Sequence, residues 1–220
     1  MLYYFAMQLE IFTFNPFQEN TYVLYDETGE CVIIDPGCYD ADERNELSDF
    51  ISGKQLQPVM LLNTHCHIDH VLGNKYVADR YNLQLQIPNG ELETLHATTL
   101  YGHTFGIYMT QSPEPGHFLE DNEILTFGKS SLKCIAAPGH SPASICFYSE
   151  NDRFLIGGDV LFYKSIGRTD LPGGNHEVLL NSIRTRLFVL PGEVKVFPGH
   201  GIETSIGDEK KHNPFVGFSS

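Results

Sequence analysis

The apolar positions of this chain fall into short runs separated by Asn, Asp, Gly and Pro. "QLEIFTF" (8–14), "NTYVLY" (20–25) and "CVIID" (31–35) read as strands divided by turn signals. Leu47, Phe50 and Ile51 stand at i, i+3 and i+4, which predicts a helix at about 40–53. "PVMLLNTH" reads as a buried strand, "VLGNKYVADRY" as a helix and "LQLQI" as a further strand. Residues 90–117 are mixed: "GELETLHATTLYG" carries a helical pattern and "QSPEPGH" a loop, and a long polar-aromatic connection of this kind often serves as a lid. "EILTFG", "SLKCIAAPGH", "SICFYSE" and "RFLIGGD" are strands. A helix follows at about 176–190, with Asn175 as N-cap and Ile183 and Leu187 on its buried face. The strand "EVKVFPGH" precedes an irregular tail. Strand runs and helices thus alternate twice. The pattern predicts two similar α/β halves with sheets face to face and helices outside, within one domain over 1–220.

Four of the apolar runs end in a side chain that binds metals. "VMLLNTHCH" ends at His65 and His67, "CIAAPGH" at His140, "FLIGGD" at Asp159 and "VKVFPGH" at His200. A glycine precedes each of the last three, where it permits a sharp turn and close backbone approach. If residues 65–69 are extended, His65, His67 and Asp69 point one way and Cys66 and Ile68 the other. His70 follows at the start of a helix and can swing into the same pocket. Seven candidates exceed what one tetrahedral cation takes, and two cations can use them if a carboxylate bridges. Imidazole and carboxylate donors suit zinc, iron or manganese, and no thiolate is required.

Composition narrows the partners. The 220 residues carry a formal net charge of −14, which opposes a nucleic-acid partner because phosphate binding needs a basic face. The short run Glu209–His212 reads as a solvated turn. No apolar stretch approaches the roughly 18 residues of a membrane span. The start "MLYYFAMQ" lacks a basic region and a cleavage site, and Met7 is an alternative initiator. Five cysteines form no framework, which predicts reduced thiols and a cytoplasmic location; "CVIIDPGC" is a weak disulfide candidate.

The motifs resemble those of the metallo-β-lactamase superfamily, and within it the short, single-domain branch of the glyoxalase II-like (hydroxyacylglutathione hydrolase-like) group. "THCHIDH" matches the signature T-H-x-H-x-D-H, and "APGHSP", "GGDVLF" and "PGHG" match the later metal motifs in order. "SIGRTDLPGG" (165–174) and "GIETSIGDEKKHNPF" (201–215) extend the match over nearly the whole chain. The resemblance implies a four-layer αββα sandwich with the site at one edge of the sheets. It implies that His65, His67 and His140 hold one metal, that Asp69, His70 and His200 hold the other, and that Asp159 bridges. Two-domain glyoxalase II enzymes carry a further helical region that helps bind glutathione, whereas twenty residues follow His200 here.

The chemistry that follows is hydrolysis of a small acyl thioester of the S-lactoyl-thiol type. A hydroxide shared by two divalent cations, zinc first and iron or manganese next, would attack the carbonyl, and Asp69 and Asp159 would act at the catalytic centre. A thiolate leaves with little acid help. Asp35, in "IIDPG", is a candidate for orienting a ligand histidine, or is simply a turn residue. Arg168 is a candidate for a substrate carboxylate, or an ion-pair partner of Asp170. Gly167 and Tyr163 are candidates for the substrate pocket. His96, His103 and His117 read as surface or lid residues. The alternatives are a mononuclear iron persulfide dioxygenase, a hydrolase of another ester, lactone or β-lactam, a nuclease, and a non-catalytic metal module. The expected partner is a small-molecule thioester.

Overall fold

The computed structural model describes residues 7–104 and 106–217, with the side chains of residues 103 and 104 left out. Two six-stranded sheets form its centre. The first contains β1 (Gln8–Phe14), β2 (Glu19–Tyr25), β3 (Glu30–Ile34), β4 (Gln57–Leu62), β5 (Leu85–Pro88) and β6 (Pro115–Leu119), paired in chain order. The pairs β1/β2 and β2/β3 are antiparallel, and the rest are parallel. The second sheet runs in the order β14-β13-β10-β9-β8-β7. Its strands are β7 (Ile124–Phe127), β8 (Ser130–Ala136), β9 (Ile145–Ser149), β10 (Phe154–Gly158), β13 (Lys195–Pro198) and β14 (Thr204–Ser205). A small hairpin, β11 (Leu161–Phe162) with β12 (Ser165–Ile166), follows β10.

Residue-by-residue alternation along the strands sorts the apolar side chains into three layers. Tyr22, Leu24, Val32, Ile34 and Leu62 of the first sheet meet Leu132, Cys134, Phe147, Phe154 and Ile156 of the second, between the sheets. Val23, Ile33 and Leu61 point to the opposite face. There they are covered by α1 (Ala41–Gly53), α3 (Asn74–Tyr81) and α4 (Leu92–Thr104) through Leu47, Ile51, Val77 and Leu95. On the second sheet, Ile135, Leu155 and Val196 are covered by α5 (His176–Ser182) and α6 (Ile206–His212) through Leu179, Leu180 and Ile206. Central strands buried on both faces read as continuous apolar runs, which is why "CVII" and "FLIGG" are uninterrupted. The four-layer αββα arrangement matches the expectation.

Several elements differ from the sequence reading. The helix expected over 71–81 is two: a single turn α2 (Ile68–Val71), then α3. The break is at Gly73, whose N–H reaches the Pro36 carbonyl at 2.7 Å; a Cβ there would lie 2.5 Å from Cys38 Sγ. "PGH" belongs to β6 rather than to a loop. Asn175 caps α5 as expected by accepting the Val178 N–H, but α-helical bonding ends at Ser182, and a π-helical turn, Ile183–Leu187, finishes the element short of 190. The tail is not irregular. Ser205 caps α6, whose first turn is acidic and last turn basic, in keeping with the helix dipole. Glu209 is therefore no solvated turn residue: it is buried and accepts bonds from Lys164 N, Thr204 Oγ1 and Asn213 Nδ2. Cys31 and Cys38 are both free thiols. Most of "MLYYFAMQ" lies outside the described residues.

The layer between the sheets sets stability. Phe147→Ala should destabilise the fold by about 3–5 kcal/mol, while Val189→Ala, at a side chain 70% exposed, should stay within about 0.5 kcal/mol. Urea unfolding at fixed metal content measures both, and equal losses would contradict this layering.

Candidate metal centre

The site begins where β3 and β4 end. Asp35 terminates β3 with φ 48°, a left-handed backbone that Asp tolerates better than most residues. Its buried carboxylate accepts from Thr64 N at 2.7 Å, Thr64 Oγ1 at 2.6 Å and Asn63 Nδ2 at 3.3 Å, and faces His70 Nδ1 at 3.0 Å. With its proton donated to Asp35, the Thr64 hydroxyl can only accept from His65 Nδ1, 3.0 Å away. Protons therefore sit on Nδ1 of His65 and His70, and both Nε2 atoms turn inward. His140 Nδ1 donates likewise to the Arg168 carbonyl at 2.7 Å and His200 Nδ1 to the Gln18 carbonyl at 3.2 Å. Four of the five rings are thus fixed by a partner on the far nitrogen.

The seven sequence candidates converge. Nitrogen atoms of His65, His67 and His140 lie within 4.8 Å of one another, and so do ligand atoms of Asp69, His70 and His200. Asp159 stands between the two groups. Its Oδ2 is 3.5 Å from His140 Nε2 and 3.6 Å from His200 Nε2, and its Oδ1 is 3.4 Å from His70 Nε2. Asp69 Oδ2 lies 3.1 Å from His200 Nε2. A third grouping, Asp35 with His65 and His70, is also compact, but Asp35 is already saturated by protein donors and is better described as an orienting group.

Close packing holds this geometry. A Cβ at Gly199 would lie 2.2 Å from Asp159 Oδ1 and 2.7 Å from His70 Cε1, so only glycine lets the His200 turn approach. Gly158 has φ +50°, and a Cβ there would meet Thr64 Oγ1. Asp69 reaches the site differently from the sequence expectation. The extended segment stops at His67, and Asp69 projects from the first turn of α2. Cys66 is fully buried with the core under α1 and α3; it also borders the cavity beside the centre, and it joins none of the donor groups among the described residues.

Burial and neighbouring charges push the donors in different directions. Burial pushes the His65 imidazole well down, and His67 is pushed down to about 4 by burial and the neighbouring His140 and His70. Burial works against charge on Asp159 too, but His70, His140 and His200 outweigh it and hold the carboxyl below its usual range. His70 is held well above its usual value, because Asp159, Asp69 and Asp35 together overcome its own burial. His65 Nε2, His70 Nε2 and Asp159 Oδ1 are buried without a hydrogen-bond partner. Such orphans are costly, and clustered lone pairs of this donor type are satisfied together by a divalent cation. The residues present fit a metal centre.

Other candidates separate. Arg168 forms a bidentate pair with Asp170, at 2.7 and 2.8 Å, on the rim of a cavity beside the centre. Tyr163 does not line that cavity. It is 44% exposed with the Lys164 ammonium over its ring, and Phe162 takes the wall position, because successive residues of β11 and its turn face opposite ways. Gly167, between the cavity-lining Ile166 and Arg168, packs on the Asp159 carbonyl, where a Cβ would clash at 1.9 Å. His96 and His117 pair with Glu114 and Glu123 on the surface; the His103 side chain lies outside the described residues.

Three buried residues escape a reading by motif. Glu91 accepts from Cys66 N, Ser141 Oγ and Ala143 N, tying the His65–His67 loop to the His140 loop. Asn20 donates to the carbonyls of Pro198 and Gly201 and clips the His200 turn onto the first sheet. Glu19 is buried behind His70, with Oε1 3.8 Å from Nδ1, and burial raises its carboxyl well above the usual range. No spacing in the sequence marks them; a buried acid beside a ligand loop is visible only once the loops meet.

Comparison with known proteins agrees with this geometry. The profile described as the metallo-beta-lactamase superfamily matches residues 14–200. The chain is 38% identical over 207 residues to the probable metallo-hydrolase YqgX of Bacillus subtilis (strain 168), covering 93% of this chain and 95% of that one. It is 33% identical over 216 residues to the hydroxyacylglutathione hydrolase GloC of Haemophilus influenzae (strain ATCC 51907 / DSM 11121 / KW20 / Rd), covering 97% and 100%. Among solved structures, the BLEG-1 B3 metallo-beta-lactamase superposes with TM-score 0.87 at 36% identity, covering 95% of this chain and 99% of that chain. TTHA1623 in a di-iron-bound form superposes with TM-score 0.84 at 33% identity, covering 94% and 99%. With a matching profile over most of its length and a donor cluster that fits divalent metals, this chain belongs to the metallo-β-lactamase superfamily.

Proposed function

We propose that the chain is a dinuclear metal-dependent hydrolase of small acyl thioesters. The observation that carries this is the position of Asp159, within 3.6 Å of ligand atoms from both donor groups. A single cation would leave one group of buried donors without a partner. His65, His67 and His140 would hold one metal; Asp69, His70 and His200 the other; Asp159 would serve both. Such cations supply Lewis acidity and a water acidic enough to ionise near neutral pH. The protein's own part is positional. Asp35, Thr64 and the two backbone carbonyls hold the imidazoles in the tautomer that presents Nε2. Asp69, beside His70 and His200, would orient the attacking water. The Arg168 carbonyl fixes His140, so the backbone of the rim loop is coupled to the centre.

Similarity to GloC supports a thioester, since a thiolate leaves without a general acid and the described residues offer no obvious one beside the donors. Similarity to BLEG-1 makes β-lactam hydrolysis the second reading. The two are separated by assaying thioesters and a chromogenic β-lactam on one metal-quantified preparation.

Elemental analysis should find about two metals per chain. Asp159→Ala should lose metal and retain less than about one hundredth of the thioesterase activity, since substitutions merely beyond the ligands cost 10–100-fold. One tightly bound iron with no thioesterase activity would sink the proposal. Cys66→Ala should keep both metals, and loss of either would show that its thiol reaches the centre.

A further inference from the structure

Glu91 stands at the junction of β5 and α4. Its N–H donates to the Pro88 carbonyl and its carbonyl accepts the Leu95 N–H, so the backbone is fixed on both sides. Gly90, with φ +112°, makes the turn that brings this junction onto the His140 loop, and a Cβ there would lie 2.9 Å from the Ala143 Cβ. The Glu91 side chain is fully buried. Its Oε2 accepts the Cys66 N–H at 3.1 Å, and its Oε1 accepts the Ser141 hydroxyl at 2.7 Å and the Ala143 N–H at 2.8 Å. Cys66 separates His65 from His67, and Ser141 follows His140. One carboxylate therefore holds the chain neighbours of all three histidines of one donor group.

Two features separate this from an ordinary loop staple. The first is that His67 is the ring without an orienting bond on its far nitrogen. Its hydrogen bond, from Nδ1 to His140 Nε2 at 2.9 Å, lies inside the donor group. The placing of this ring is left to the backbone, and the bond from Cys66 N to Glu91 fixes the residue just ahead of it. The second feature is charge. The group Asp69, His70 and His200 contains a carboxylate and has Asp35 behind His70. His65, His67 and His140 offer imidazoles, which bind a metal as neutral rings. The partners of Glu91 are all neutral donors, and among the described residues no lysine or arginine pairs with it. A buried carboxylate without a counter-cation favours a cation on the donors that adjoin it.

The geometry points to Glu91 as a positioning residue for the metal of His65, His67 and His140, selective for that group over Asp69, His70 and His200. This rests on the reading of the donors as two metal sites. Glu91 acts through its hold on Cys66 and on the Ser141–Ala143 turn, and through its charge.

The test is the zinc affinity of the full chain, stripped of metal and titrated in competition with a chromophoric chelator. His200→Ala removes a ligand of one group and leaves the three-histidine group to be titrated. His140→Ala does the converse. Glu91→Gln keeps the size of the side chain, loses its charge and turns an amide N–H toward at least one of the donors it now accepts from. In the His200→Ala background, Glu91→Gln should weaken zinc binding about 10–100-fold. In the His140→Ala background its effect should stay within about twofold. Equal weakening in both backgrounds, which a general scaffold role would give, overturns the inference, as does no weakening in the first. Far-UV circular dichroism of the metal-free chains checks folding. If Glu91→Gln does not fold, Ser141→Ala, which removes one donor and keeps the charge, decides in its place. A loss of about threefold or more confined to the His200→Ala background supports the inference, and no loss, or equal loss in both, overturns it. Uptake of a single zinc by the unmodified chain would overturn the dinuclear reading, and the His200→Ala comparison would still decide the role of Glu91.

Discussion

One buried carboxylate, that of Asp35, organises the centre. It stands at the end of a strand covered on both faces, and it receives Thr64 N, Thr64 Oγ1, Asn63 Nδ2 and His70 Nδ1. A buried charge survives only when its lone pairs are met by donors, and meeting them here fixes the loop after β4. That loop carries His65 directly and His70 through the Asn63 bond to the His70 carbonyl at 2.9 Å. The left-handed backbone at Asp35 is a local strain that this network holds in place.

The second organising fact is a charge imbalance. Five imidazoles and two carboxylates meet at one wall of the cavity, and several of their inward atoms have no protein partner. Asp159, Asp69 and Asp35 together hold the His70 imidazole well above its usual value against its own burial. His65 and His67 are driven the other way, toward neutral rings with free lone pairs. The protein keeps donors apart from one another by packing rather than by mutual attraction: Gly199 and Gly158 permit the approach, and the sheets behind them prevent collapse.

A cavity next to the centre is built by elements added to the sheet edges. The α4 helix, the β11–β12 hairpin and the loop through Arg168 build a wide apolar space next to a polar centre. Glu91, just ahead of α4, bonds to both histidine loops and so ties the wall to the donors.

The sequence by itself determined the layers and the donor set. Period-two alternation and short buried runs specify strands, and His, Asp and Gly at four strand ends leave few alternatives, because backbone rigidity there projects side chains to one rim. Tertiary structure alone decided the rest. Asp69 reaches the centre from a helical turn, and the helix after it breaks at Gly73, because Pro36 and Cys38 press against the backbone there. The tail is helical because Ser205 caps it and Ile206 finds a core. The chemistry of Arg168 allows a substrate carboxylate or Asp170 as its partner, and the fold forms the Asp170 pair. Glu19, Asn20 and Glu91 were invisible because their partners lie up to 181 positions away. Local pattern encodes which face a residue takes; it does not encode which distant carbonyl or amide that face will meet.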